Sequence, residues 1–300
     1  MFIFNSVSAE QILAPVKITA TQENEIVNIP IVGHQQRIER EEFASTYLPI
    51  DELLEQQAGI DIQSVGGNGQ YSAPTIRGST GKQVLIFWDG LLINDLNGSS
   101  ADISSLGLSA AGKIDIYRGM SPVELSPSAV GGAINIQSHN LEADSGESSL
   151  TLGSFETIDW YASQNFSNNN NSFYVNINRF KSENNFEYLE EKPVNSPQKP
   201  ATESRKNNAV DNKSILTKGH YQLNKSMRLD AAAQRQKNHR EITSKINTST
   251  NNAYLEQDTS RLQTALSYAS SIGDSQIKLV KQQSEELYDD ERSKVGLGSQ

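Results

Sequence analysis

The second half of this chain alternates between apolar and polar side chains with period two, and that pattern limits the folds open to it. Phe173, Val175 and Ile177 interleave with Tyr174, Asn176 and Asn178, and Met227, Leu229, Ala231 and Ala233 interleave with Arg228, Asp230, Ala232 and Gln234. Leu262, Leu266 and Tyr268 likewise oppose Arg261, Gln263 and Ser267. A strand sends successive side chains to opposite faces, so each run predicts a sheet with one apolar and one wet side. Seven strands are expected, at 148–154, 157–167, 172–182, 213–223, 226–238, 257–270 and 275–288. Their connections are short at 168–171, 224–225 and 272–274, and long and polar at 183–211 and 239–254. Short turns at one end and long loops at the other describe an outer-membrane barrel. A soluble β-sandwich with one wet face gives similar alternation, so this half alone leaves both readings open.

Composition narrows the rest. With 36% hydrophobic and 21% charged residues the chain can fold, yet no run approaches the roughly 18 uninterrupted apolar residues that a spanning helix needs. The formal net charge of −10, with Lys and Arg scattered, argues against a nucleic-acid partner. Absence of cysteine removes disulfides, thiolate metal sites and cysteine nucleophiles together. His34, His139, His220 and His239 stand at no metal-ligand spacing, so no metal is expected. Glu285, Glu286, Asp289, Asp290 and Glu291 form an acidic cluster without a calcium-loop pattern and read as a solvated charge run. Gly66 to Gly69 lacks the lysine of a phosphate loop, and no Ser-His-Asp arrangement is legible, so no enzyme is expected.

The first half reads differently. Short apolar runs, Val84 to Trp88 and Lys113 to Tyr117, are separated by glycine-rich turns, and 49–58 predicts a short helix with Ile50, Leu53 and Leu54 on one face and Gly59 as its stop. This is a compact α+β pattern. Residues 1–9 end in Ser6, Val7, Ser8 and Ala9, which read as a small-x-small cleavage site and hence as the remnant of a secretory signal. The expected organisation is that remnant, a linker over 10–25, a glycine-turned domain over 26–140 and the strand-rich part over 141–300.

Between Asp51 and Ile136 five motifs follow in order. A helix ending in Ala58-Gly59 precedes a glycine-rich apex at Gly66-Gly67-Asn68-Gly69. Then come Ile76-Arg77-Gly78, a strand into Asp89-Gly90, Tyr117-Arg118-Gly119, and Gly131-Gly132-Ala133-Ile134-Asn135-Ile136. In this order they resemble the plug of TonB-dependent outer-membrane receptors. Lys113 stands where that family tends to carry arginine, and Leu125-Ser126 where it tends to carry Tyr-Gly.

The resemblance implies an α+β plug domain followed by antiparallel β-strands of a transmembrane β-barrel of about 22 strands with a plugged lumen. Residues 141–300 cannot supply that many at roughly ten residues each, so the barrel is expected to be incomplete in this chain. It further implies a TonB box at Pro15, Val16, Lys17, Ile18, Thr19 and Ala20, recognised by strand addition to the energy-transducing TonB protein in the periplasm. Arg77 and Arg118 would lock the plug to carboxylates on the barrel wall. Gly78, Asp89, Gly90, Gly119, Gly131 and Gly132 would form its turns. Asn68, Gln70, Tyr71, Asn94, Asp95 and Asn97 would face ligand at the outer apices. The implied activity is energised uptake of a scarce small-molecule chelate, a ferric siderophore or cobalamin, carrying iron or cobalt as cargo across the Gram-negative outer membrane, with lipid around the barrel. A non-transporting β-rich binding or adhesion module, or a nonfunctional receptor fragment, is the alternative.

Overall fold

The computed structural model describes residues 34–44, 48–94, 100–119, 121–122, 125, 130–139, 144–168, 170–190, 201–243, 252–270 and 273–290. The expected signal remnant (1–9), linker and TonB box (15–20), and the apex residues Asp95 and Asn97, lie outside the described residues.

The chain enters through β1 (His34–Glu39) and passes into one helical turn, α1 (Arg40–Phe43), where Glu39 and Glu42 form a reciprocal capping box. Such a box satisfies orphan N–H groups that a helix this short cannot satisfy itself. α2 (Ile50–Glu55) buries Ile50, Leu53 and Leu54 as its spacing predicts. It is shorter than expected, because the Gln57 N–H turns back to the Leu54 carbonyl at 3.0 Å and Gly59 takes φ 75°. β2 (Ile60–Ser64) and β3 (Ser72–Ile76) form a separate hairpin. β4 (Val84–Trp88), β5 (Leu91–Leu92), β6 (Ala111–Arg118) and β7 (Gly132–Ser138) join β1 in a five-stranded sheet ordered β1-β6-β7-β4-β5. Only the β4–β7 pair in that sheet is parallel.

Isoleucine register holds this domain together. Ile38 stands opposite Ile114 and Ile114 opposite Ile136, while Ile116 stands opposite Ile134 and Ile134 opposite Ile86. All are buried, and α2, Phe43, Ile60 and Ile76 cover them in one cluster. β-Branched side chains fit a pleated surface well, so the row supports both strand formation and burial.

The second half is a seven-stranded antiparallel sheet whose strands pair mostly in chain order. It comprises β8 (Ser145–Gly153), β9 (Thr157–Ser167), β10 (Asn171–Ser182), β13 (Val210–Gln222), β14 (Met227–Glu241), β15 (Tyr254–Ser270) and β16 (Gly273–Asp289). Each expected strand appears, extended by a few residues at one or both ends in most cases. The long connection after β10 holds a hairpin the sequence did not announce, β11 (Glu187–Glu190) with β12 (Ala201–Ser204). Tyr174, Asn176, Leu216, Gln236 and Thr259 on the inner face are buried against the first domain. Leu152, Ile158, Phe173, Ile177, Ile215, Leu229 and Leu262 face outward and exposed. No helix among the described residues is long and apolar enough to cross a membrane. β8 and β16 are the sheet's edges, so the wall is open.

Ile134→Ala is expected to cost about 2–5 kcal/mol through the cavity it leaves in the isoleucine row. A urea midpoint followed by tryptophan fluorescence checks this, with exposed Lys82→Ala shifting stability by less than about 0.5 kcal/mol.

Candidate functional site

The first domain meets the wall along a seam of polar contacts, dense at both ends. At the end with the long connections, the apex loop rests against β10, β13 and β14. The Gln70 amide donates to the carbonyls of Asn208 and Glu241 at 3.0 and 3.1 Å, and Asn184 donates to the Asn68 carbonyl at 2.9 Å. The glycines there serve close approach. A Cβ on Gly67 would lie 2.5 Å from Asn184 Cγ, and one on Gly69 would lie 2.6 Å from Phe180 Cε1. Beside the loop, Arg240 of β14 pairs with Asp102 and its guanidinium sits 5.9 Å from the Tyr71 ring. Asp102 is already fixed, accepting from Ser72 N–H at 3.2 Å and from Ser104 N–H at 3.0 Å.

At the short-turn end a second set of contacts closes the seam. Arg40, the first residue of α1, pairs with Glu147 of β8 and donates to the Ala111 carbonyl at 2.5 Å, and Glu147 also accepts from Tyr161 of β9. Asp89 accepts from the N–H and hydroxyl of Ser138 at 2.8 and 2.5 Å. From the wall, Lys218 donates to Ser138 Oγ at 2.7 Å and to the His139 carbonyl at 3.3 Å, and Lys278 donates to the Asp89 carbonyl at 3.4 Å. The last turn of the first domain is thus gripped by lysines from β13 and β16. Burial pushes the His139 imidazole below its ordinary value, Arg40 and Lys218 push it the same way, and Glu147 and Glu41 oppose them.

Between these ends contact is sparser. Asn178 reaches Ser109 Oγ at 3.2 Å and Gln236 reaches the Ser105 carbonyl at 2.6 Å. A cavity of about 260 Å³ runs beside them, lined by Ser104, Ser109, Thr151, Asp159, Tyr161 and Asn178. A second, of about 240 Å³, lies between Tyr71, Asp102 and Ser105 on one side and Arg240, Gln257 and Arg261 on the other. Polar and charged groups predominate in the second, whereas the first is lined also by Phe43, Ile50, Leu106, Leu108 and Phe180, so the second is the part of the seam suited to water and polar solutes.

The structure redistributes the residues singled out in the sequence. Gly78, Gly90 and Gly119 take φ 74°, 74° and 116° between strands, and Gly132, at φ 130°, opens β7. Arg77 and Asp89 are left-handed as well, at 52° and 49°, giving the paired positive φ of tight type I′ turns. Gly131 serves close packing instead, since a Cβ there would lie 2.9 Å from the Gln83 carbonyl. Asn94 does not face outward as expected. It is buried, accepting from Ile86 N–H at 2.7 Å and donating to the Val84 carbonyl at 3.0 Å, so both ends of its amide serve the β4 backbone. Gln70 is likewise buried against the wall. Arg77 donates to the Arg118 carbonyl at 3.5 Å and Arg118 donates to Gln36, contacts within the first domain. Burial and the neighbouring Arg77 lower the Arg118 pKa from its ordinary value. Arg40, Asp102, Glu147, Lys218, Arg240 and Lys278, which carry the seam, had no motif to mark them.

A small glycine-turned domain seated by polar bonds on the wet face of an up-and-down strand wall defines the class of plugged β-barrels. Residues 31–133 match the family described as TonB-dependent Receptor Plug Domain. Similar solved structures share the fold. They include a mutant ferric enterobactin receptor from Pseudomonas aeruginosa in complex with enterobactin, at 16% identity and TM-score 0.60, over 84% of this chain and 41% of that one. The siderophore receptor PirA from Acinetobacter baumannii is 18% identical with TM-score 0.58, over 84% and 40%. FpvA of P. aeruginosa bound to heterologous pyoverdines is 13% identical with TM-score 0.64, over 84% and 34%. The chain therefore spans about two fifths or less of the length of these structures.

Two outcomes follow from the seam. Arg240→Ala should destabilise the seated apex by about 1–3 kcal/mol, because it leaves Asp102 without its guanidinium; a double-mutant cycle with Asp102→Asn should return a coupling of similar size. His139, whose pKa is depressed in the folded state, binds its proton more readily when unfolded. Its stabilising contribution is full above its ordinary value of 6.5 and declines as pH falls through it. Urea midpoints across this range should fall with acidification, and His139→Gln should flatten that dependence.

Proposed function

We propose that the chain is the front part of an outer-membrane receptor that takes up a scarce chelate by energised transport, the plug gating the barrel. One observation supports this above others. The plug is held by separable hydrogen bonds and ion pairs, with Tyr174 and Leu216 as the wall's buried apolar additions to its core. An apolar interface of equal extent would resist removal, whereas polar contacts exchange for water as they open. The proposed cycle begins with ligand at the apex, where Tyr71 lines the cavity shared with Asp102 and Arg240. Asn68 and Gln70 lie beside it, and Asp95 and Asn97 belong to the same proposed face. TonB then pairs with Pro15, Val16, Lys17, Ile18, Thr19 and Ala20 by strand addition and pulls. Ligand at one face must bias the box at the other, a coupling between two sites.

Arg77 and Arg118 are proposed to lock the plug to wall carboxylates, which would relieve the repulsion between two guanidinium groups held side by side. The chemistry of the similar receptors makes a ferric siderophore the first ligand to try, with cobalamin the second.

Val16→Pro and Ile18→Pro each remove a strand N–H that pairing needs. In cells carrying the receptor, uptake of a radiolabelled ferric siderophore or cobalamin should fall to the level of cells lacking TonB, with surface binding unchanged. Import persisting in both variants at the unmodified rate would refute energised transport through this segment.

A further inference from the structure

The two long connections are tied at their bases, to one another and to the apex loop, by side-chain amides. The β10–β13 connection departs at Asn184 and returns at Asn208. The Asn184 amide donates to the Asn208 carbonyl at 3.2 Å, and the Asn208 amide donates back to the Asn184 carbonyl at 3.1 Å. Asn184 donates also to the Asn68 carbonyl of the apex loop, and Gln70 of that loop donates to the Asn208 carbonyl. A third tie runs sideways. Asn207 donates to the Ile242 and Ala253 carbonyls, both at 2.8 Å, where the β14–β15 connection leaves and re-enters the wall. Asn184, Asn208 and Gln70 are all buried.

Asparagine meets two demands here. Asn184 and Asn207 hold φ 47° and 54°, a left-handed backbone that asparagine tolerates better than most side chains and glycine more readily still. A turn alone is served by glycine, so what asparagine adds is the amide. On one side of this clasp contact continues into the β11–β12 hairpin. The Arg205 N–H donates to the Phe186 carbonyl at 2.9 Å, the Phe186 ring meets the Phe155 ring edge-on with centroids 6.1 Å apart, and Glu187 pairs with Ser204 one step further on. On the other side Gly67 lets the apex backbone close on Asn184. Direct contacts thus run unbroken from hairpin to apex loop. The clasp is also built below its greatest strength, since the buried Asn208 Oδ1 accepts no hydrogen bond among the described residues, which costs stability and suits a joint that opens.

We propose that Asn184 and Asn208 are positioning residues that join the β11–β12 hairpin to the plug apex, so that order imposed on the hairpin is passed to the apex loop. A ligand held by the hairpin alone then acts on the plug without touching it. The proposal rests on the uptake reading, in which ligand at the long-loop end must act on the plug, and names the side chains that carry the first step. Each amide is a rigid planar group with two N–H donors, and Asn184 divides its pair between the returning connection and the plug. A shift of the connection therefore moves donor and plug together or breaks both bonds, the two discrete arrangements that coupling through a hydrogen-bond network requires.

The test uses the receptor carrying this chain, in neutral detergent, with Leu189→Cys and Thr202→Cys placed opposite one another in the hairpin register. Oxidation staples the hairpin and reduction frees it, with no native cysteine in this chain to compete. Hydrogen exchange over 64–72, read by mass spectrometry, reports the apex loop. Stapling is expected to slow exchange there by about fivefold or more, the lower end of ordinary coupling between two sites. Asn184→Gly, which keeps the left-handed turn and deletes the amide, is expected to abolish that response while exchange over 132–138 in the plug core stays unchanged. A turn-forming role alone would leave the response intact in this variant. No response in the stapled receptor, or an equal response with Asn184→Gly, overturns the proposal. Should Asn184→Gly loosen the plug core, Asn208→Ser, which spares the Asn208 carbonyl, is read by the same two outcomes. Because no ligand is added, failure here leaves energised uptake standing, and refutation of uptake by the proline variants leaves this coupling to be judged on its own.

Discussion

A strand wall pairs its backbone polar groups within the sheet, and this single requirement arranges the rest of the molecule. The ladders of β9, β10 and β13 to β15 meet it on both sides, with β8 and β16 as the edges, and this frees side chains to divide by face. Outward positions become apolar and inward positions polar. The inward face of Asn176, Asn178, Asn212, Gln236 and Thr259 cannot then bury an ordinary hydrophobic partner. What it accepts is a domain that carries its own apolar core, the isoleucine row of the plug, and turns hydrogen-bonding loops toward the wall.

This division explains what the sequence made legible. Period two is imposed by strand geometry itself, so all seven wall strands could be read from Phe173, Leu229 or Leu262 and their neighbours. The plug's turns were legible because a positive φ selects glycine at Gly78, Gly90 and Gly119. The seam was hidden for an equally physical reason. Arg240 finds Asp102 across 138 positions and Arg40 finds Glu147 across 107. A charge whose partner is so remote looks in sequence like any scattered surface residue. The β11–β12 hairpin escaped notice because it lies in a polar connection with no buried face to impose alternation.

Asn94 and the apex glycines show where a motif misleads about direction. A polar residue in a loop read as facing ligand was drawn inward, because the end of β4 offered a free N–H at Ile86 and a free carbonyl at Val84 with no strand partner to take them. Its amide supplies both complements at once. The apex loop was similarly read as open, whereas Gly67 and Gly69 bring its backbone within reach of Asn184 and Phe180. Glycine in that loop works by omission, since any side chain would hold plug and wall apart.

The two ends of the seam differ in a way that bears on how a plug moves. At the long-loop end the bonds are mostly amides to carbonyls, with one ion pair at Asp102 and Arg240. Each bond is weak in net terms and readily replaced by water. At the short-turn end three cationic contacts cross the seam, Arg40 from the start of α1 to Glu147, Lys218 from the wall to the end of β7, and Lys278 from the wall to the Asp89 turn. Lys218 and Lys278 come from strands separated by β14 and β15, so they converge on the Asp89 turn from two directions. β1 is held to β6 along its whole length and by Arg37 to Asp115 at 2.7 Å before the chain meets the wall at Arg40, while the Asp89 turn is held by Lys278 and, through Ser138, by Lys218. The wall therefore grips the first domain at two separate places, the start of α1 and the turn after β4.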